Sequence, residues 1–324
     1  MTNLYFHVSS GAEWRFRRNI TNPSFRTNVL MLFDDNIYHH CKVFIDQLGQ
    51  HVGGDGVDVF VPIHLCHIDM TIENMCGIRL GAQENRSTRF STAMSGVAEM
   101  IVERAFSLLL WTDFVYSLTG KMKLLDQLVD ENISVPRKIV EQRIKERKTD
   151  RGRKQHFEGP KIYLDRLLDS FDAGDLTKDQ IVADVLDLFV AGTITAAITT
   201  AWAFKYLALY PDTQEKAYQE IKENCVDGKV RLNDVSKLIY IGMIIKETLR
   251  HSAIPLTSRN LSKDVQVRGN KYAMRSLKFL IASTLLRYKF STDEKPPKDL
   301  REMDYRFVFM LYPLSGFRVK IQQR

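Results

Sequence analysis

The chain has 324 residues, of which 44% are apolar, so it can bury a large core as one big domain or two. Charged residues make up 26% and are mixed in sign, which excludes a disordered chain. Lysine and arginine outnumber aspartate and glutamate by 46 to 39, giving a net charge of +7. The 4 cysteines are scattered without CxxC pairing, so the sequence indicates neither a disulfide framework nor a zinc site.

The excess positive charge is concentrated in two runs, at 14–19 and 137–154. Such runs are typical of a solvated helix surface, of a face for an acidic protein or an anionic membrane, or of a nucleic-acid site. Nucleic acid is the weakest alternative, because no aromatic residues alternate with the basic ones and no zinc-finger or RNP-like motif is present. No window reaches the ~18 consecutive apolar residues of a membrane span, so we expect no anchor helix in this chain.

Helical periodicity dominates the first half of the chain. Turn signals such as TNP and GGDG separate the helices, and the charged stretch KTDRGRKQHFEGP is a candidate connection. The predicted helices cover 12–20, 24–50, 60–80, 89–118, 121–150 and, as a short one, 161–171. The first half is therefore expected to be helical almost throughout.

The longest predicted helix begins at a Thr-Gln capping box at 177–180 and stops at Pro211. About 33 residues at 1.5 Å each give roughly 50 Å, and an all-round apolar second half places it in the core. Gly192 and the β-branched residues of 193–200 weaken it, because a threonine bonded back to the preceding turn opens a helix. The segment is either a polar notch facing a buried ligand or a set of threonines satisfied within a packed core.

The C-terminal third continues the helical pattern and adds a little sheet. A strand pair is predicted around the turn signal LSG, from YRFVFMLYP and FRVKIQQ. The predicted helices are 211–224, 234–251 and 271–288, with an extended run at 264–268. The fold class is therefore mainly α.

Two further residue pairs have spacings that suit a site. Trp14 and Arg18 lie four apart on one helix face, where an indole donor beside a guanidinium suits a carboxylate. Glu247 and Arg250 form an i, i+3 pair that is worth little if exposed. Each pattern alone is also common on ordinary surface helices.

The order of these features is more specific than any one of them. A Trp-x3-Arg helix comes first, and Gly192 and Thr195 follow it. After them come, in this order, YPDTQEKAYQEI, the Glu247/Arg250 pair and Arg259, which follows a proline. This order resembles the cytochrome P450 superfamily of haem-thiolate monooxygenases. The stretches HIDMTIENMCGIRLGAQ and GFRVKIQQR are similar to the family 4 clan, particularly its insect members.

The resemblance implies a P450-type helical fold with small β elements, in a single domain over 1–324. It implies haem as the cofactor, with Trp14, Arg18 and Arg259 holding the propionates. It implies an oxygen-binding notch at Gly192 and Thr195, with Thr195 delivering protons, and a structural Glu247/Arg250 pair locked by a third residue. It further implies NADPH–cytochrome reductase as the partner, a lipophilic substrate, and the cytoplasmic face of the endoplasmic reticulum membrane.

The sequence departs from the family pattern beside the notch and after the predicted strand. Ile194 and Ala196 stand where the family has an acid and a second hydroxyl, and Ala191 excludes a covalent Glu–haem link. Asn270 is followed directly by Lys271, so the family's sheet, meander and Phe-x-x-Gly-x-Arg-x-Cys-x-Gly loop are missing at 269–271. The axial cysteine is therefore absent, and we expect an incomplete, truncated fold without a metal ligand.

A skipped exon or a faulty gene model explains this junction most simply. As written, the chain is expected to be inactive in the hydroxylation of fatty acids or xenobiotics that the resemblance implies. The alternative is a non-catalytic helical isoform that binds an apolar ligand or the reductase, and a basic nucleic-acid binder is more remote.

Overall fold

The computed structural model describes residues 11–85, 88–149, 160–225, 228–252, 271–298, 303–308 and 310–324. These residues are mainly helical, with two small antiparallel sheets among them. The chain divides into two compact units. Unit 1 comprises Met1–Ile37 and His67–Thr193, and unit 2 comprises Tyr38–Cys66 and Ile194–Arg324. The expectation of a single domain over 1–324 stays a prediction.

The helices in the described ranges are named in chain order. They are α1 (Gly11–Thr21), α2 (Thr27–Leu30), α3 (Asp34–Leu48), α4 (Phe60–Cys76), α5 (Arg89–Phe106), α6 (Asp113–Leu118), α7 (Lys121–Lys148), α8 (Tyr163–Asp172), α9 (Lys178–Phe189), α10 (Thr195–Leu209), α11 (Pro211–Asn224), α12 (Ile239–His251) and α13 (Lys271–Arg287). The strands are β1 (Val57–Asp58), β2 (Tyr288–Ser291), β3 (Tyr305–Val308), β4 (Met310–Pro313) and β5 (Arg318–Gln323). A π-helical turn, Val190–Ile194, joins α9 to α10.

Unit 1 is a helical assembly in which α9 packs against α7 and α8, while α5 and α6 pack against α7. The predicted capping box begins α9. The Thr177 hydroxyl accepts a hydrogen bond from the Gln180 backbone N–H, and the Gln180 side chain accepts one from the Thr177 backbone N–H. Buried Asp69 on α4 accepts the backbone N–H groups of Ala82 at 2.6 Å and Gln83 at 2.8 Å. This carboxylate therefore fixes the turn that follows α4.

Unit 2 is built around α10, whose residues from Ala196 to Leu209 are all buried. Helices α11, α12 and α13 and strands β2 and β5 cover it. Buried Gln214 on α11 donates to the Leu207 carbonyl at 2.8 Å and exchanges two hydrogen bonds with the Phe290 backbone. One side chain thus ties α11 and β2 to the central helix, whose burial agrees with the core position predicted from its apolar residues.

The predicted pairing of the last two strands is wrong. Strands β3 and β4 form a hairpin with each other, so YRFVFMLYP folds on itself. Strand β5 pairs instead with β2 and with β1, both antiparallel. The alternating pattern identified the strands, but register and partner were decided by long-range packing that the pattern does not encode.

Several helix boundaries also differ from those that the apolar periodicity predicts. The predicted helix 89–118 ends at Phe106, where Ser107 is extended, and resumes as α6 after a 3-10 turn. Arg104 holds that turn by donating to the carbonyls of Leu110 and Trp111. Helix α12 starts at 239 rather than 234, because the Glu220 carboxylate accepts the backbone N–H groups of Tyr240 and Ile241. The extended run 264–268 lies outside the described residues.

Within the described ranges, the continuous helix Lys178–Leu209 is long and apolar enough to cross a membrane, and 67% of its most apolar window is buried by protein. The core helix of a soluble protein has the same properties, so length and composition alone do not assign a span.

Lys205 on α10 generates a testable prediction for unit 2. Its side chain is 1% exposed, and its ammonium donates to Glu294, the Ser315 hydroxyl and the Gly316 carbonyl, all at 2.8–2.9 Å. We expect Lys205→Met to lower the free energy of unfolding by about 2 kcal/mol, because these acceptors lose a charge-assisted donor. Urea denaturation would measure the change, with exposed Lys216→Met as the control. Equal stability of both variants would contradict this role.

Candidate functional site

The predicted weak point of the long helix coincides with its π-helical turn. Gly192 lies in that turn, and the Thr193 hydroxyl donates to the Phe189 carbonyl at 2.7 Å. Thr199 and Thr200 bond back in the same way, to the carbonyls of Thr195 at 2.8 Å and Ala196 at 2.9 Å. Threonine back-bonding thus opens the helix where the sequence predicted, and it satisfies buried hydroxyls at the same time.

The turn lies close to helix α4 at Gly192. A Cβ added to Gly192 would lie 3.3 Å from the Thr71 methyl carbon of α4, so the glycine permits a close approach within unit 1. Gly192 and Thr195 are half-buried, one turn apart, and Ile194 beside them is buried. Isoleucine and alanine flank Thr195, so no neighbouring carboxylate in the chain can relay a proton to it.

Trp14 and Arg18 lie one turn apart on α1, and both are exposed. The buried cation of this helix is Arg17, which the sequence interpretation did not select. Arg17 binds the carboxylate of Asp184 on α9 and, at 2.9 Å, that of Glu13. The i, i+4 spacing of Glu13 and Arg17 is the one sequence signal for this ion pair. Such spacings are common on surface helices, so the signal does not identify Arg17 as buried.

The structure forms the predicted Glu247/Arg250 pair in unit 2. Arg250 donates to both carboxylate oxygens of Glu247, at 2.9 and 2.5 Å. His251 makes a third contact with Glu247 at 3.0 Å. The Arg250 hydrogen bond lowers the pKa of Glu247 to about 2. Glu247 and Arg250 are both exposed, and Arg259 lies outside the described residues.

The cysteines offer poor thiolate donors. Cys76 is fully buried, and burial, aided by Asp165, raises the pKa of its thiol. Burial and the Asp234 charge likewise raise the pKa of Cys225. Cys41 and Cys66 are buried in unit 2, and the Cys66 thiol donates to the His40 carbonyl at 3.5 Å. Cys41, Cys66 and Cys76 thus lie in the protein interior, and Cys225 is the one half-buried thiol among the four.

Comparison with known sequences assigns the family. The family profile described as Cytochrome P450 matches residues 5–276, more than half of the chain. The chain belongs to the cytochrome P450 family. Its mainly helical fold with small β elements agrees with that membership, and the family is the lineage of haem-dependent monooxygenases.

The relatives confirm a family 4 type of cytochrome P450. Cytochrome P450 4V2 of Mus musculus is 30% identical over 278 residues, covering 82% of this chain and 53% of the relative. Cytochrome P450 4V2 of Homo sapiens is 28% identical, covering 81% and 52%. Cytochrome P450 4c3 of Drosophila melanogaster is 24% identical, with the same coverage. The chain spans about half the length of these relatives, and the narrower likeness to insect members stays a prediction.

Haem, the cofactor of the P450 family, does not fit the donor set of this chain. The sequence has no cysteine after Cys225, so none follows the predicted strand. Cys41, Cys66 and Cys76 are at most 1% exposed, and Cys225 is half-buried. The expected roles of Trp14 and Arg18 toward the propionates therefore remain predictions.

The Arg17–Asp184 pair generates a prediction for unit 1. Asp184 is 1% exposed, so Arg17→Met leaves a buried carboxylate without its cation and should cost about 3–5 kcal/mol. The double variant Arg17→Met/Asp184→Leu should recover most of that loss, because neither charge is then buried. Chemical denaturation of both variants measures the difference. A double variant as unstable as Arg17→Met would contradict the charge explanation.

Two buried groups of unit 1 predict opposite pH dependences. Burial raises the pKa of Asp184 to about 6. Between pH about 6 and 4, the folded chain therefore binds a proton that the unfolded chain has released. Because the folded state binds more protons, its stability rises on acidification over this range. Burial lowers the pKa of His67 to about 4, so its contribution falls on acidification between pH about 6.5 and 4. Each contribution is about 3 kcal/mol at full extent.

We therefore expect the Asp184 and His67 contributions nearly to cancel in the parent chain. Relative to it, Asp184→Asn should lose stability more steeply from pH 6.5 to 4, and His67→Gln less steeply. Denaturation midpoints across this range test both slopes. Parallel profiles for all three proteins would show that neither group titrates as described.

Proposed function

We propose that this chain is a haem-free member of the cytochrome P450 lineage and does not itself catalyse monooxygenation. The observation that carries the proposal is the direct junction of Asn270 and Lys271, with no cysteine after Cys225. The family resemblance requires a thiolate from a loop between these flanks. Thiolate ligation supplies the electron density for O–O cleavage, so its loss removes the reaction rather than tuning it.

The described residues support this proposal independently of the junction. Cys41, Cys66 and Cys76 are buried, and the half-buried Cys225 has a raised pKa. No other cysteine exists in the sequence to replace the missing ligand. The exposed Glu247/Arg250 pair takes His251 as its third contact, which suits a chain without the downstream loop residue that the resemblance implies.

For a product that carries the loop, we propose the reaction of the lineage: NADPH- and reductase-dependent hydroxylation of a lipophilic substrate such as a fatty acid or xenobiotic. In that product Gly192 and Thr195 would form the oxygen notch, with Trp14, Arg18 and Arg259 at the propionates. The present sequence would then be a truncated isoform or a gene-model variant of it.

Location at the endoplasmic reticulum membrane belongs to the same proposal. A run of large apolar side chains is exposed between α5 and the end of α6, which supports contact with a lipid surface. These residues, each more than half exposed, are Phe106, Leu108, Leu109, Trp111, Phe114 and Leu118.

Reductase docking on the basic runs is less well supported. Arg143 on α7 binds the Asp165 carboxylate bidentately, at 3.0 and 2.9 Å, and Arg147 binds Asp169 and Asp172 on the same helix α8. Two of the nine basic residues of this run are therefore paired with carboxylates inside unit 1. The partner remains part of the proposal through the family alone.

A second candidate function, binding of an apolar ligand without turnover, is favoured by a cavity in unit 1. Its volume is about 270 Å³, and it lies beside the turn that Asp69 fixes. Its lining is mostly apolar, which suits a small lipophilic molecule. The lining residues are Ile68, Leu80, Ala82, Asn85, Phe90 and Val135.

Insertion of the missing segment tests the main proposal. The Cys-containing segment of mouse Cytochrome P450 4V2 would be placed between Asn270 and Lys271, and each protein reconstituted with haemin. We expect the CO-difference band of thiolate-ligated haem from the chimera only, with an identical insert carrying Cys→Ser as the matched control.

A thiolate-type band from the parent chain would overturn the proposal, most directly if Cys76→Ser or Cys225→Ser abolished it. Binding of a small apolar dye that Val135→Trp blocks, with no such band, would instead support the second candidate function.

A further inference from the structure

A pocket in unit 2 lies between α3, α13, the turn at 228–230 and the end of β5. Its volume is about 320 Å³, which suits a small organic molecule. All of its lining residues belong to unit 2, and neither Gly192 nor Thr195 is among them, so it is distinct from the predicted notch.

The floor of the pocket is apolar and well packed. Cys41, Ile45 and Phe279 are 1–7% exposed and line it. The rings of Tyr38 and Phe279 lie 6.2 Å apart in a tilted arrangement. These groups would contact an apolar or aromatic ligand body.

The rim of the pocket is cationic. Lys42, Lys229, Arg287 and Arg324 line it, and no aspartate or glutamate is among the described lining residues. Asp46 contacts both Lys42, at 3.5 Å, and Arg287, at 2.9 Å, while Glu215 pairs with Arg324. Four cations thus share two carboxylates, which leaves an excess of positive charge at the opening.

Arg324 has hydrogen-bond donors that the protein leaves unused. Its side chain is 10% exposed, its Nη1 donates to Glu215 at 3.0 Å, and its guanidinium carbon lies 3.8 Å from the centre of the Tyr218 ring. Its Nε and Nη2 atoms are buried without a hydrogen-bond partner. Buried donors normally have acceptors, so the hydrogen bonding of this guanidinium beside the pocket is incomplete within the protein.

We propose that this pocket binds a small organic anion. A carboxylate or phosphate group would lie among Arg324, Arg287 and Lys229, with charge-assisted hydrogen bonds to the guanidinium donors. The apolar body of the ligand would lie against Phe279 and Ile45. The proposal needs neither haem nor the missing loop.

Calorimetric titration of the full chain with matched ligands tests the proposal. Naphthalene-2-carboxylate and 2-naphthyl phosphate supply the two possible head groups, and naphthalene-2-methanol supplies the same ring without charge. We expect at least one anion to bind about tenfold or more tightly than the alcohol. The ratio of the two anion affinities identifies which head group the site prefers.

Two variants locate the binding site. Lys229 is exposed, so Lys229→Gln should fold normally and weaken anion binding about threefold or more. Ser283→Trp should fill the pocket and abolish binding without changing a charge. Lys216→Gln, on the exposed face of α11 and outside the pocket, is the matched control and should bind as the parent does.

Equal affinity for the alcohol and both anions would overturn the proposal, as would the absence of anion binding at millimolar concentration. Anion binding that Lys229→Gln and Lys216→Gln leave equally unchanged would also overturn it, because the ligand would then bind elsewhere.

Discussion

Burial of the long helix Lys178–Leu209 is the constraint on which most of the structure depends. From Ala196 to Leu209 every residue of α10 is buried, so helices and strands must cover it on all sides. Its polar groups must then be satisfied internally, and the threonine hydroxyls achieve this by bonding to the preceding turn. The Thr193 bond lies in the π-helical turn at 190–194, where it competes with the regular helical ladder.

Charges buried near this helix are each matched to a specific partner. In unit 1, Asp184 on α9 binds Arg17 of α1, and in unit 2, Lys205 on α10 binds the segment that carries Glu294 and Gly316. Breaking such a pair leaves an uncompensated charge, so each pair specifies which elements lie together. The same logic gives Arg324 its significance, because its buried donors are only partly matched.

Monooxygenation in this lineage depends on one cysteine sulfur that binds the haem iron. In this chain the helical scaffold is present without that cysteine. Gly192 and Thr195, the Glu247/Arg250 pair and the helix that carries Trp14 and Arg18 are all present, yet Cys41, Cys66 and Cys76 are buried and Cys225 is half-buried. Helical scaffolds are stabilised by distributed apolar burial, whereas haem-thiolate chemistry needs one cysteine sulfur placed to bind the iron. On the function proposed above, a chain without the loop keeps the helices but not the reaction.

The sequence by itself determined the family, the mainly helical class, the capping box that opens α9 and the weak point at Gly192. Each of these depends on local periodicity, local propensity or ordered motifs. Tertiary structure decided that β5 pairs with β2 and β1, and that Arg17 rather than Arg18 is buried. It also brought Arg324 beside Tyr38 and Phe279 in one pocket. Those outcomes depend on partners that are distant in the sequence, and a local pattern contains no information about which distant surface will cover it.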